Sequence, residues 1–175
     1  MNKTNVIRLL EANKIPHDII TCEVNEDDLS GASVSKKIST DDEIVFKNLV
    51  AEGDKRGIIT FCFLVNSKLN LKKAAEVSCN KKVDLIPTKN LLNVTGYARA
   101  CCSPVGMKKK YLTYIGESAQ LFDMIYFSAG IRGMQVGVHP DSLQRLTGSD
   151  FVDLTWHLRL TQSPIFEASI LEELG

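Results

Sequence analysis

Histidine, a common metal ligand in proteins, is scarce in this chain and its few copies are scattered. His17, His139 and His157 lie far apart, and none has a partner at the spacing of a metal-binding motif. The sequence also lacks a phosphate-binding P-loop and a GxGxxG fingerprint. It therefore predicts no metal site and no cofactor.

An excess of charge of either sign is absent as well. Lys and Arg together number 21, as do Asp and Glu, so the formal net charge is zero. A protein that grips long nucleic acid by its phosphates is usually basic. The balance therefore argues against DNA binding and limits any contact with RNA to a local one.

Long apolar runs are missing too. No stretch approaches the ~20 residues that span a membrane, and residues 1–4 lack the apolar core of a secretory signal. The five cysteines are odd in number and show no CxxC spacing. We therefore expect free thiols, including those of the adjacent Cys101 and Cys102, in a cytoplasmic protein with no membrane partner.

What is present is a chain of ordinary domain size, with 175 residues of which 44% are hydrophobic. Helical spacing predicts helices near residues 3–13, 71–79 and 140–146, and a short one at 30–38. Apolar runs at 44–50 and 58–65, separated by a polar turn, predict a β-hairpin. Because strands and helices interleave with few helical crossovers, we expect an α/β domain over residues 1–154. Its curled mixed sheet, or partly open barrel, would have helices outside, with a tail at 155–175.

The strand at 44–50 carries a lysine in an apolar setting. Alternation places Val45, Lys47 and Leu49 on one face and Phe46 and Asn48 on the other. Burying an unpaired ammonium is costly, so Lys47 should reach a cleft or a partner. The alternative is an edge strand on which the lysine blocks unwanted pairing.

Three other segments admit a functional and a structural interpretation. The turn from Gly130 to Gly133, which includes Arg132, could hold a phosphate, although a plain hairpin turn is the favoured interpretation. Cys101 and Cys102 could supply a nucleophile, but no nearby histidine would activate them, so packed loop residues are the simpler interpretation. The lysines at 108–110 form a solvated face unless the irregular loop at 96–106 beside them binds RNA.

Several stretches together resemble the YbaK/EbsC family, the free-standing relatives of the editing domain of bacterial prolyl-tRNA synthetases. The matching stretches are Leu9-Leu10-Glu11-Ala12-Asn13-Lys14-Ile15, Val45-Phe46-Lys47-Asn48-Leu49-Val50, Leu71-Lys72-Lys73-Ala74-Ala75, Thr95-Gly96-Tyr97, Ser103-Pro104-Val105-Gly106 with Lys108-Lys109, and Tyr126-Phe127-Ser128-Ala129-Gly130 with Arg132-Gly133. The resemblance implies a fold like that of the prolyl-tRNA synthetase-associated domains. It also implies an enzyme, an aminoacyl-tRNA deacylase that uses no metal.

The substrate implied by the resemblance is the acceptor end of a mischarged tRNA, with Cys-tRNA(Pro) expected first and prolyl-tRNA synthetase as a partner. Lys47 matches the family's essential lysine, and Ser128 is the second candidate catalytic residue. The loop ending at Pro104 matches a loop whose amides hold the ester carbonyl, while the substrate's own thiol attacks that carbonyl. The expected substrate-binding residues are Cys22, Leu29, Gly96, Ala100, Cys101, Cys102, Ser103, Pro104, Gly130 and Arg132.

The chain also departs from the family pattern. Ala100 stands where the loop has a glycine, and a Cβ there could narrow the site. Cys22 replaces a tyrosine, Leu29 falls near an aromatic residue, and Gln135 replaces an acidic residue. These departures leave open an alternative function, that of a non-catalytic relative which binds an aminoacyl or nucleotide-like ligand or acts as a synthetase-associated adapter.

Overall fold

The computed structural model of the protein describes residues 3–22 and 44–156. The helix predicted at 30–38, Leu29, His157 and most of the predicted tail lie outside these ranges. The helices of the described part are α1 (Asn5–Ala12), α2 (Leu71–Val77), α3 (Leu91–Thr95) and α4 (Pro140–Thr147), with 3-10 turns at Thr88–Asn90 and Glu117–Leu121. The strands are β1 (Asp18–Thr21), β2 (Phe46–Gly53), β3 (Gly57–Leu64), β4 (Val83–Leu85), β5 (Leu112–Gly116), β6 (Ile125–Ser128), β7 (Met134–Val138) and β8 (Asp150–Val152).

These strands form two sheets. The larger has the order β4-β2-β3-β5-β8, in which β2 pairs antiparallel with β3 and β4, whereas β5 runs parallel to β3 and β8. The smaller is antiparallel, with the order β1-β7-β6. A single parallel bridge between Val45 and Tyr126 links the two sheets. The prediction of a mixed α/β fold is confirmed, and the strands of the described part do not close into a barrel.

Alternation along β2 and β3 explains why both faces of the larger sheet are apolar. Phe46 and Cys62 point into a core shared with α1, α4 and the smaller sheet. Their neighbours Phe61 and Phe63 point into a second core beneath α2. Strands covered on both faces read as continuous apolar runs, which is the pattern of residues 58–65.

The predicted helix boundaries follow from capping side chains. Asn70 begins α2 by accepting hydrogen bonds from the backbone amides of Lys72 and Lys73. Pro140 occupies the first turn of α4, and Gly148 ends it with a φ of 66°. Helix α3 was not predicted, because it is only five residues long and has no side-chain cap.

The described part of the chain contains no helix that combines the length and the apolar character needed to cross a membrane.

The last residues of the described part are attached to the domain. Thr155 forms an isolated bridge with Leu69, and the Lys73 ammonium donates to the carboxylate of Asp153 and to the carbonyl of Thr155.

Candidate active site

A cleft of about 640 Å³ opens where β2 meets the irregular loop at residues 96–106, which we call the site loop. Its walls bring together segments that are distant in sequence. Lys47 and Asn48 come from β2, Ala100 and Cys102 from the site loop, and Ser128 from the end of β6. The two candidate catalytic residues predicted from the sequence, Lys47 and Ser128, therefore line one cleft.

The other predicted site residues have different places. Cys101, Ser103 and Pro104 belong to the site loop but do not line the cleft, and the same holds for Gly96 at its start. Among the residues not given a role, those that line the cleft include Asn48, Asn66, Leu91, Arg99 and Gln135.

Cys22, Gly130 and Arg132 also lie outside the cleft walls. Gly130 and Arg132 belong to the hairpin turn between β6 and β7, as the sequence predicted, and their part in substrate binding stays a prediction. Cys22 follows β1, and its amide donates to the carbonyl of Gly133 at 2.8 Å, beside the same turn.

Lys47 lies across from Phe63 in the β2–β3 pair. Its Nζ is 5.1 Å from the centroid of the Phe63 ring, a distance at which the aromatic face attracts a cation. Burial lowers the pKa of the Lys47 ammonium from its ordinary value of 10.5, because a low-dielectric setting disfavours the charged form. Among residues 3–22 and 44–156, the contact that holds the ammonium is therefore the Phe63 ring, and no carboxylate of these ranges forms an ion pair with it.

Asn48 is a buried polar residue that we did not predict as part of the site. Its Nδ2 donates to Cys102 Sγ at 3.4 Å, which connects β2 to the site loop. Its Oδ1 is buried, and no hydrogen-bond partner for it exists within residues 3–22 and 44–156. The sequence did contain a signal for this residue, because Asn48 is polar and shares its strand face with the apolar, buried Phe46 and Val50.

Tyr97 keeps the site loop closed. Its hydroxyl donates to the carbonyl of Val105, at the far end of the loop, and its amide donates to Thr95 Oγ1 at 3.0 Å. Burial raises the pKa of Tyr97 to about 12. A Cβ added to Gly130 would come within 2.9 Å of the tyrosine ring, so the glycine allows the turn to pack against it.

Ala100 adopts a backbone conformation that glycine would favour. Its φ is 65°, in the left-handed region, and the turn that contains it is closed by a hydrogen bond from the Cys101 amide to the Ala98 carbonyl. At the position of the family's glycine, Ala100 therefore adopts a backbone conformation that is readily open to glycine. It adds an exposed Cβ to the wall of the cleft and a strained backbone conformation.

Ser128 connects strand β6 to the site loop. Its hydroxyl donates to the carbonyl of Cys101 at 2.9 Å and accepts from the amide of Gly130 at 3.1 Å. Ser103 has a comparable local contact, since its Oγ accepts from the amide of Val105 at 3.3 Å. Both hydroxyls thus support the shape of the loop.

All five cysteines are free, as predicted. Burial raises the pKa of the Cys102 thiol, although the side-chain hydrogen bonds to Asn48 and Thr95 partly oppose the rise. Burial also raises the pKa of the Cys101 thiol, against a smaller lowering by the Arg132 guanidinium. Neither thiol carries the depressed pKa of an activated cysteine nucleophile.

The described lining of the cleft offers cations and neutral polar groups. Its charged side chains are Lys47 and Arg99, and no Asp, Glu or His is among these lining residues. The backbone amides of Ala100 and Cys102 donate no hydrogen bond to any described residue. Nowhere in the described ranges do three or more His, Cys, Asp or Glu side chains form a group that could hold a metal ion.

A second, smaller cavity of about 300 Å³ adjoins the C-terminal end of the site loop. It is lined by Pro104 and Val105, and Lys109 and Lys110 contribute to its wall. The Lys108 ammonium donates instead to the carbonyl of Asn93 at 3.4 Å. The basic run therefore borders the same loop that forms the cleft.

Two solved structures share the fold of this chain. One, named as a trans-editing enzyme for prolyl tRNA synthetase, superposes with a TM-score of 0.74 over 89% of this chain and 99% of its own, at 19% identity. Another, the hypothetical protein APE2540, superposes with a TM-score of 0.78 over 85% and 97% of the two chains, at 15% identity. The fold is that of these YbaK-like proteins, as expected.

Sequence comparison identifies the family. Residues 29–146 match the model of the aminoacyl-tRNA editing domain. A relative from Enterococcus faecalis, named as the Cys-tRNA(Pro)/Cys-tRNA(Cys) deacylase EbsC, is 40% identical over 153 residues, which cover 87% of this chain and 93% of the relative. The chain belongs to the aminoacyl-tRNA editing domain family, and the resemblance to YbaK and EbsC is confirmed.

Proposed function

We propose that the chain is a trans-editing deacylase, which hydrolyses the ester that joins a wrong amino acid to the terminal adenosine of tRNA. The substrate that we expect to react fastest is Cys-tRNA(Pro), one of the substrates in the name of the Enterococcus faecalis relative. The observation that carries the proposal is the convergence of Lys47 and the site loop on one cleft, in a chain that belongs to an editing family.

Ester hydrolysis requires donors that stabilise the charge developing on the carbonyl oxygen. The amides of Ala100 and Cys102, which have no acceptor among the described residues, supply such donors at the cleft wall. Lys47 adds a positive charge whose effect is strengthened by its partial burial. Ser128 positions the loop through the carbonyl of Cys101.

The nucleophile comes from the substrate in this proposal, since no described lining residue is a carboxylate or histidine that could act as a general base. The cysteine thiol of the substrate attacks its own carbonyl. A sulfur–carbon bond forms, the ester carbon–oxygen bond breaks, and the thiol proton passes to the ribose oxygen. Water then opens the thiolactone and releases cysteine. Serine and alanine lack this route, because a hydroxyl ionises far less than a thiol and a methyl group does not ionise.

The decisive experiment measures deacylation of tRNA(Pro) charged with cysteine, serine or alanine. We expect rapid loss of cysteine alone, and a fall of ~100-fold or more for Lys47→Ala if the ammonium stabilises the transition state. Lys55→Ala is the matched control, because Lys55 is exposed in the β2–β3 turn at the end of the same hairpin. Full activity in a folded Lys47→Ala protein would contradict the proposal.

Comparable or faster loss of alanine would exclude thiol attack. The nucleophile would then be water or a ribose hydroxyl, and the replacements at Cys22 and Leu29 would be the positions to examine. If no mischarged tRNA is hydrolysed but an aminoacyl-adenosine analogue binds, the chain is the non-catalytic relative instead.

The zero net charge suggests where the protein obtains its affinity for tRNA. A balanced surface binds long RNA weakly, so we propose that prolyl-tRNA synthetase supplies additional affinity in the cytoplasm, where tRNA is charged. The dissociation constant for Cys-tRNA(Pro) should fall when the synthetase is added. A constant that does not change would exclude this partner.

A further inference from the structure

The side-chain carbonyl of Asn48 is the polar atom in the cleft region that the packing of the free protein does not explain. Asn48 is 7% exposed, and its Oδ1 is buried without a hydrogen-bond partner in the described part of the chain. A buried acceptor without a partner destabilises a protein. The neighbours on the same strand face, Phe46 and Val50, are apolar, so an apolar residue would pack here at lower cost.

The contact that Asn48 does make is weak. Its Nδ2 donates to the sulfur of Cys102 at 3.4 Å, and a thiol sulfur is a poor acceptor. The terminal torsion of an asparagine side chain is broad rather than confined to narrow wells. Asn48 lines the cleft, so rotation about this torsion can present the carbonyl to a ligand there, at the cost of the bond to Cys102.

The charges around the cleft restrict what the carbonyl can bind. The charged groups of the described lining, Lys47 and Arg99, are both cationic, so a neutral donor fits better than a further cation. Asn48 also contacts Cys102, whose amide we assign to the ester carbonyl. A donor bound by Asn48 would then lie within a few atoms of the ester. An aminoacyl-adenosine has two such donors, the free ribose hydroxyl and the α-amino group in its neutral form.

We propose that Asn48 is a substrate-binding residue whose side-chain carbonyl accepts a hydrogen bond from the donor next to the ester, either the ribose hydroxyl or the α-amino group. The inference rests on the proposed function, because it places the ester at the site loop. It predicts that this enzyme senses the presence of that donor through one neutral asparagine.

The test combines Asn48→Leu, which is similar in shape, with three ligands. These are non-hydrolysable amide analogues of cysteinyl-adenosine, one complete, one without the ribose hydroxyl and one without the α-amino group. Asn48→Leu should weaken binding of the complete analogue about tenfold, the value of one neutral hydrogen bond. On the analogue that lacks the bonded donor, wild type and variant should bind equally, and the second truncated analogue then identifies which donor is used. A loss of the same factor on all three analogues, or no loss at all, would overturn the inference.

Two further measurements separate binding from a structural role. Asn48→Leu should melt at or above the temperature of the wild type, because it replaces an unsatisfied buried acceptor with an apolar group; a lower melting temperature, together with equal losses on all analogues, marks a structural asparagine. Cys102→Ala removes the sulfur partner and should keep the coupling to the ligand donor. Loss of that coupling in Cys102→Ala would overturn the assignment to the carbonyl.

The two proposals can fail separately. If the complete analogue shows the coupling with Asn48 but no charged tRNA is hydrolysed, the inference holds and the deacylase function fails. If mischarged tRNA is hydrolysed and Asn48→Leu shows no coupling, the function holds and the inference fails.

Discussion

Replacing Ala100 with glycine tests whether the site loop keeps a glycine conformation at the expense of stability. Ala100 has a φ of 65°, and the left-handed region costs an L-residue about 1–2 kcal/mol. Glycine removes this cost but gives the unfolded chain more freedom, which offsets about 0.4–1 kcal/mol. We therefore expect Ala100→Gly to raise the free energy of unfolding by about 0.5–1 kcal/mol.

The loop itself provides the control. Ala98 is also exposed, and its φ is not positive. Ala98→Gly therefore gains no relief and should destabilise the protein by about 0.4–1 kcal/mol through the unfolded state alone. The two substitutions are chemically identical and two residues apart, so the opposite signs of their effects report the local backbone conformation.

Thermal unfolding followed by circular dichroism measures both effects. For a chain of this size, 1 kcal/mol corresponds to about 2–4 °C, so Ala100→Gly should raise the melting temperature by about 1–4 °C and Ala98→Gly should lower it. Deacylation by Ala100→Gly should remain at or above the wild-type rate, because only a Cβ leaves the cleft wall. If Ala100→Gly lowers the melting temperature as much as Ala98→Gly does, the reasoning is refuted.

Three further perturbations test other parts of the site. Burial lowers the pKa of Lys47 in the folded protein below its ordinary value of 10.5, so between the folded-state pKa and 10.5 the unfolded chain binds more protons than the folded one. Urea unfolding should therefore show wild type gaining stability relative to Lys47→Met as the pH rises through that window. A stability difference that stays constant with pH would contradict this. Tyr97→Phe leaves the buried Val105 carbonyl without its donor, which should lower the free energy of unfolding by about 1–3 kcal/mol. Tyr111→Phe is the control and should cost less, because the Tyr111 hydroxyl is half-buried and donates to a less buried carbonyl. Equal losses in the two variants would contradict the role of Tyr97. Neutralising the three lysines at 108–110 should weaken tRNA binding and flatten its salt dependence without changing the amino-acid preference; an unchanged slope would leave them as a solvated face.

Local signals predicted most of the fold. The β2–β3 hairpin was visible because two apolar runs flank a polar turn, and its register pairs Gly53 with Gly57 as such a turn requires. The caps of α2 and α4 were visible because Asn70, Pro140 and Gly148 act within their own turns. Apart from this hairpin, pairing between strands was not predicted, since neighbours such as β5 and β8 are selected by packing across the whole domain.

The site was predicted in part, and the resemblance contributed more to it than the chemistry of single residues. Lys47 could be singled out by its apolar strand, and it does line the cleft. The roles assigned to Ser128 and the loop residues stay predictions. What the structure adds to Ser128 is a pair of hydrogen bonds to the loop and the turn, which no sequence spacing indicates.

The sequence by itself determined the hairpin that carries Lys47 and the helix ends, because each depends on residues close together in the chain. It also determined the family, because several short matching stretches occur in one order between Leu9 and Gly133. Only the tertiary structure decided which side chains meet. Asn48 contacts Cys102 across 54 positions of sequence, and Ser128 contacts Cys101 across 27. Such contacts arise when distant segments pack together, and the periodicity of either segment alone contains no information about its partner. The same holds for Ala100, since its left-handed backbone follows from a loop that Tyr97 and Ser128 hold in place.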